Sequence, residues 1–327
     1  MKQLVRITKK SGIPLLGAIA FGIIDRGTDL LQVRATSVCN LNCVYCSTDS
    51  GACSLTHNTD YIVDLDYLLE YVKDAAGYKE TKIEANIDSV GEPLTYEKIT
   101  ELVKRLKALG CVKRISMQTN GMLLTEELLK KLEKAGLNRI NLSINTLNEE
   151  QARALSGTQE YPLKKMLTTA RKIAKSKIEL LLAPVWIPGM NEKGIEDLIQ
   201  LSKELKCKIG IQKYEVYKHS RKVPKAKPIN YWRFYKQLEE WEKKFGVKLK
   251  FTAKDSTIAP AKRLPEKFKQ GDKETAETKC PGWMQGQMIG VARNRAISIN
   301  NCKAKEGERI KVKIIESKNN IYVAEQA

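Results

Sequence analysis

The chain has 327 residues, 42% hydrophobic and 29% charged, with 57 Lys and Arg against 38 Asp and Glu for a formal net charge of +19. This is a soluble globular balance with room for one large domain and a small one, and it excludes a disordered chain. Eight cysteines in so long a chain exclude a small disulfide scaffold, and their clustering points to a reduced, cytoplasmic, metal-binding protein. The positive surplus points to a polyanionic partner, foremost nucleic acid, against the plainer reading of a Lys/Glu-rich stable surface.

The first 29 residues carry a basic start and then SGIPLLGAIAFGII, which mimics a secretory signal. The run is too short to span a bilayer, so a buried strand or hairpin is expected and no membrane association. From residue 30 the pattern alternates apolar β-runs with amphipathic helices. Strands are expected at 30–38, 81–90, 113–120, 139–145, 177–187 and 208–217. Helices are expected at 59–78, 96–110, 125–136, 162–176 and 194–206. About six β/α units imply a parallel sheet covered by helices, with the chemistry at the carboxyl ends of the strands. After residue 262 the pattern shifts to five short runs, 269–283, 287–294, 295–301, 307–317 and 319–326, separated by Gly and Asn turns. These suggest a small OB-like β-barrel at 263–327 beside a core domain at 1–262, the alternative being an extra sheet packed on the first domain.

The strand at 30–38 ends directly on CNLNCVYC, which places Cys39, Cys43 and Cys46 on one loop. Thiolates bind soft metals, and a structural zinc usually takes paired CxxC units with four ligands in all. Three thiolates with no second pair fit a four-iron cube with one iron left open for a substrate.

The CxxxCxxC spacing, with Tyr45 before the last cysteine, resembles the radical S-adenosylmethionine (SAM) superfamily. The resemblance implies a partial (β/α)6 TIM-type barrel and a [4Fe–4S] cluster on Cys39, Cys43 and Cys46. It further implies that the unique iron chelates SAM through its amino and carboxylate groups. An electron from an external donor such as a ferredoxin or flavodoxin then cleaves the S–C5′ bond to methionine and a 5′-deoxyadenosyl radical. Ser89-Val90-Gly91-Glu92-Pro93 resembles the family's GGEP motif, with Val90 in place of a Gly, so Gly91, Glu92 and Pro93 are assigned to the SAM ammonium. Thr119-Asn120-Gly121 matches the TNG that closes the third strand. Asn141-Leu142-Ser143-Ile144-Asn145 resembles the segment contacting ribose or carboxylate through Ser143 and Asn145, although the usual Asp is here Asn145. Val185–Gly189 resembles the apolar segment beside adenine, which assigns Ile187 and Tyr45 to that ring. The chain is similar to archaeal iron–sulfur oxidoreductases without an assigned reaction.

Candidate acid–base groups are Asp88, before the Gly-Glu-Pro turn, and Tyr214 or Glu215 on the sixth strand. Gln212 and Lys213 alternate with these, and a register slip would swap the faces. Cys53, Cys280 and Cys302 are candidates for an auxiliary cluster or for plain buried thiols. Residues 213–233 hold seven Lys/Arg against one Glu, interleaved with Tyr214, Tyr217, Tyr231 and Trp232. Such a segment suits phosphate contacts and base stacking, or serves as a solvated connector. Gly290–Arg293 and Gly307–Ile314 resemble a TRAM domain, an RNA-binding barrel appended to tRNA-modifying enzymes. The expected function is a radical SAM transferase or oxidoreductase acting on an RNA, foremost tRNA. The rivals are action on a protein, peptide or small metabolite, and a non-enzymatic RNA binder with a structural metal.

Overall fold

A computed structural model describes residues 2–251, 255 and 257–327. The chain divides into two compact units, Met1–Cys39 with Ser54–Ile115 and Ile258–Ala327, and Asn40–Cys53 with Ser116–Thr257.

In the first unit, β1 (Gln3–Ile7) runs parallel to β4 (Thr59–Val63). The pair β2 (Gly22–Asp25) and β3 (Leu30–Arg34) forms an antiparallel hairpin, and β3 continues parallel to β5 (Ile83–Ile87). The apolar N-terminal run is buried at Ile13, Leu15, Phe21, Ile23 and Ile24. Its last residues form the strand β2. The helix expected from residue 59 is corrected: α1 spans Leu65–Lys79, and the residues before it are β4. Burial alternates along Thr59–Val63 with the period of a strand, and Asp64 accepts the Tyr67 N–H at 3.1 Å as the cap of α1. The helix α2 (Ile99–Ala108) follows β5. A buried pair, Lys79 Nζ to Asp25 Oδ1 at 2.8 Å, anchors the return of the chain, because Asp25 Oδ2 accepts the Leu264 N–H at 2.7 Å.

The C-terminal part of this unit is a closed five-stranded barrel. Its strands are β12 (Lys273–Pro281), β13 (Met288–Ala292), β14 (Arg295–Asn300), β15 (Arg309–Lys318) and β16 (Ile321–Gln326). Neighbours run in the order β12-β13-β14-β16-β15, β15 closes onto β12, and β14–β16 is the parallel pair. Closure leaves no exposed sheet edge. Inside lie Phe268, Ile297, Ile299, Val312, Ile314 and Tyr322, with Phe268 edge-on to Tyr322 at 5.0 Å.

The strand β6 (Val112–Thr119) starts in the first unit and ends in the second. In the second unit it pairs parallel with β7 (Arg139–Leu142), which pairs with β8 (Glu179–Leu182), which pairs with β10 (Lys208–Ile209). The expected fifth and sixth strands are each interrupted. After β8 comes β9 (Val185–Trp186), paired parallel with β11 (Gln212–Lys213). Pro184 sits at the break, where it has no N–H to give to a ladder, and its carbonyl accepts the Gln212 N–H at 2.7 Å. The covering helices are α3 (Glu126–Ala135), α5 (Leu163–Ala174) and α6 (Glu192–Glu204). Two helices were not expected, α4 (Glu149–Ser156) and α7 (Tyr231–Phe245). Among the described residues no helix is long and apolar enough to cross a membrane.

Candidate functional site

The loop from residue 40 to 53 lies in the second unit and is held from two sides. On one side stands the end of α4, whose last carbonyls have no partner within the helix. Leu155 O accepts the Val44 N–H at 3.1 Å, and Ser156 O accepts the Asn42 N–H at 3.2 Å. Gly157 ends that helix at φ +68°, and a Cβ there would stand 2.1 Å from Asn42 O, so only glycine permits the approach. On the other side stands Arg221. It donates to Asp49 Oδ1 (2.7 Å), Cys43 O (3.2 Å) and Ser50 O (2.7 Å), and its own N–H reaches Cys46 O (2.9 Å). Ser220 Oγ adds a bond to Ser47 O at 2.8 Å.

None of the eight cysteines is in a disulfide. Cys46 Sγ accepts the Ser50 N–H at 3.3 Å and lies 3.3 Å from the Thr48 hydroxyl. Burial pushes the Cys43 thiol up to about 11, opposed by the Tyr45 hydroxyl, which donates to it. Burial also raises the Tyr45 phenol, so it stays a donor. Among the described residues no three His, Cys, Asp or Glu side chains are grouped to hold a single metal ion. An iron–sulfur cube needs another arrangement, in which each thiolate takes its own iron.

Beside the loop is a small open cleft lined by Cys43, Tyr45, Asn120, Ser143, Asn145 and Tyr161 among others. Asn120 follows β6, while Ser143 and Asn145 follow β7, so the cleft opens at carboxyl ends of parallel strands. Its polar groups are oriented by bonds of their own. Asn145 Nδ2 donates to the Tyr45 hydroxyl at 2.5 Å, and Asn145 Oδ1 accepts the Val185 N–H at 2.8 Å. Asn120 donates to Asn40 Oδ1 at 2.8 Å, and Ser143 Oγ accepts from Gln118 at 3.0 Å. Asn191 is a further support: it donates to Asn145 O and Val185 O and accepts the Ile187 N–H.

The Gly-Glu-Pro turn belongs to the first unit. The Glu92 N–H donates to Val38 O at 2.8 Å, one residue before Cys39. A Cβ on Gly91 would stand 2.3 Å from Ser37 O and 2.4 Å from Val38 O. Glu92 is buried, its Oε1 accepts the Leu94 N–H at 2.9 Å, and Pro93 follows it in a short 3-10 turn.

The remaining candidates fall elsewhere. Ile187 and Tyr214 share a buried cluster with Leu155 and Val223, against which Tyr45 packs, and the Tyr214 hydroxyl accepts the Val223 N–H at 3.0 Å. Glu215 pairs with Lys213 at 3.0 Å and accepts from the Tyr231 hydroxyl. Asp88 receives Arg34 through two bonds, 3.0 and 2.9 Å, and Gln32 at 2.5 Å. Cys280 is buried on β12, and Cys302 packs against the barrel core. Sequence reasoning missed Tyr161, Asn191, Arg221 and the whole of α4. The signal for α4 was present: Asn148 as cap, acids at Glu149 and Glu150, then Gly157.

A cysteine loop and a polar cleft at the carboxyl ends of parallel strands are the arrangement of a binding site in an α/β enzyme. A profile described as the radical SAM superfamily matches residues 33–202, just over half of the chain, and the chain belongs to that superfamily. An uncharacterized protein of Methanocaldococcus jannaschii is 40% identical over 340 residues, covering 96% of this chain and 78% of the relative. GTP 3′,8-cyclase of Clostridium perfringens strain 13 is 32% identical over 181 residues, which cover 55% of this chain and 53% of the cyclase. Streptococcus suis SuiB bound to S-adenosylmethionine has the same core fold, with TM-score 0.53, 17% identity, 75% of this chain and 52% of SuiB covered. The chain therefore spans about half the length of the cyclase and of SuiB. Enzymes of this superfamily use a [4Fe–4S] cluster and SAM and need an electron donor.

Proposed function

We propose that Cys39, Cys43 and Cys46 hold the [4Fe–4S] cluster and that the enzyme uses it to modify an RNA, foremost a tRNA. The donor set fits the group, since three cysteines outside any disulfide, in and beside one hydrogen-bonded loop, would leave one of four irons open to SAM. Bound there and reduced by a ferredoxin- or flavodoxin-type donor, such a cluster would supply the electron that splits the S–C5′ bond of SAM. Within the chain, Gly91, Glu92 and Pro93 receive the SAM ammonium, while Asn120, Ser143 and Asn145 receive its carboxylate and ribose. Tyr45 and Ile187 flank the adenine. Of the acid–base candidates, Asp88 is paired with Arg34, and Tyr214 and Glu215 stand at the start of the basic stretch. Thiol chemistry of this kind belongs in a reducing compartment, the cytoplasm.

The observation that carries the RNA reading is that the basic segment is bonded directly to the cysteine loop. Arg221 and Ser220 grip residues 43–50, while Lys218, Lys222, Lys225 and Lys227 around them stay exposed. A polyanion bound by those lysines is held next to the reactive centre. The C-terminal barrel, taken as a TRAM-like domain at 263–327 beside a core at 1–262, adds a second cationic face. There Arg309, Lys311 and Lys313 are exposed along β15, and Lys273 pairs opposite Lys313.

The test is anaerobic reconstitution with iron and sulfide, reduction, and measurement of 5′-deoxyadenosine, with filter binding of bulk tRNA at about 50 and 200 mM salt. Wild-type protein is expected to form the nucleoside, Cys43→Ser to form none, and tRNA affinity to fall at least tenfold across that salt range (about 10-fold or more for several phosphate contacts). Nucleoside formation without tRNA binding would move the substrate to a protein, peptide or small metabolite. Absence of nucleoside from the wild type would remove the enzyme reading altogether.

A further inference from the structure

We infer that the first two turns of α7, together with Tyr217, form a stacking platform for unpaired RNA bases. The inference rests on the RNA reading above and names the part of the RNA that is gripped.

The helix has two faces of opposite use. Phe234, Leu238 and Trp241, at helical spacing, are buried. Trp186 stacks on Phe234 at 5.9 Å and meets Trp241 edge-on at 5.1 Å, and Trp241 Nε1 donates to Glu196 at 3.2 Å. The Asn230 side chain caps the start by accepting the Arg233 N–H at 2.9 Å. With the helix anchored in this way, Tyr231, Trp232 and Tyr235 are turned outward at 60%, 68% and 47% exposure, and Tyr217 stands at 62%. Large rings are among the side chains folding most favours burying, so a group of them left in water signals a partner.

The cations around the rings choose the partner. Lys213 Nζ lies 4.9 Å from the Tyr231 ring centroid, and Lys236 Nζ lies 5.4 Å from that of Trp232. Tyr231 and Tyr235 stack at 6.2 Å with 28° between planes. Lys218, Lys222, Lys225, Lys227 and Arg233 are exposed nearby in sequence. Rings interleaved with cations match a strand that offers a base face and a phosphate at each step. A duplex hides its base faces in its own stack, so it could use the cations and not the rings. The occupant is therefore a single-stranded stretch of RNA, such as a loop or an end.

The experiment measures binding of a labelled unpaired 12-nucleotide RNA and of a duplex of the same length. It uses wild type, Trp232→Ala, Trp232→Phe and the double variant Tyr231→Ala/Tyr235→Ala, with melting temperatures confirming folding. Trp232→Ala is expected to lose roughly 5- to 100-fold in affinity for the single strand, as stacked bases do on losing their ring. Trp232→Phe should keep most of that affinity, and the salt dependence should not change because no phosphate contact is removed. Loss within twofold for Trp232→Ala and for the double variant, or equal loss on duplex and single strand, overturns the platform and leaves the RNA reading standing. Wild type that binds neither RNA overturns both, and would point to a protein at the same rings.

Discussion

The C-terminal barrel and the loop from 40 to 53 are stabilised by different physics. In the barrel, alternate residues of each strand enter a shared apolar interior around Phe268 and Tyr322, and closure pairs every strand with two others. Its stability is spread over many similar contacts, each made between neighbours in a regular ladder. The loop has no ladder. It is shaped by carbonyls at the end of α4, by one glycine, and by one guanidinium that makes three bonds. A scaffold of the first kind tolerates surface change and resents a hole. A scaffold of the second kind concentrates its dependence on a few polar groups, and these can be removed one at a time.

That contrast can be broken or sharpened by substitution. Tyr322→Ala should have the largest effect on stability, about 3–5 kcal/mol, because it empties the barrel centre and orphans the bond to Asn320. Urea unfolding measures it, and a loss below about 1 kcal/mol would mean that the barrel can repack without its ring. Arg221→Met should cost about 2–3 kcal/mol, since the charged bonds to Asp49 and two loop carbonyls disappear together. The more telling readout is iron retained per chain after anaerobic desalting, which should fall in Arg221→Met and recover partly in Arg221→Lys. Equal iron in all three proteins would show that the clamp does not shape the loop. The smallest effect on stability, within about 0.5 kcal/mol, is expected for Lys311→Ser with Lys313→Ser, both on the exposed side of β15. The same pair should lower the salt slope of tRNA binding by about 1–2, and an unchanged slope would exclude this face from RNA contact.

The same contrast explains how far the chain could be read in advance. Each barrel strand was visible as a short run set off by Gly and Asn turns, as at 295–301 against the observed Arg295–Asn300. The parallel strands and their helices were visible as apolar runs alternating with amphipathic segments. The strand at Thr59–Val63 was absorbed into the following helix, since YIV and LLEYV merge into one apolar run unless Asp64 is read as a cap. The motifs named Cys43, Tyr45, Asn120, Ser143 and Asn145, which the structure gathers at one cleft. They could not name Arg221, which in the sequence is one more charge in a basic run and in the structure faces inward to Asp49. Nor could they show that Tyr214 turns into a buried cluster while Tyr235 turns to solvent, because helix α7 had not been recognised.

The clamp also has a consequence for how the protein is made. Asp49 and Arg221 are 172 residues apart in the chain. At a synthesis rate of about 5–20 residues per second, the nascent loop waits roughly 10–30 seconds for the guanidinium that completes it. Until then its thiols emerge from the ribosome on an unshaped segment open to oxidation. The loop thus takes its clamped shape only once the basic segment has been made, and its sulfurs must stay reduced in the interval.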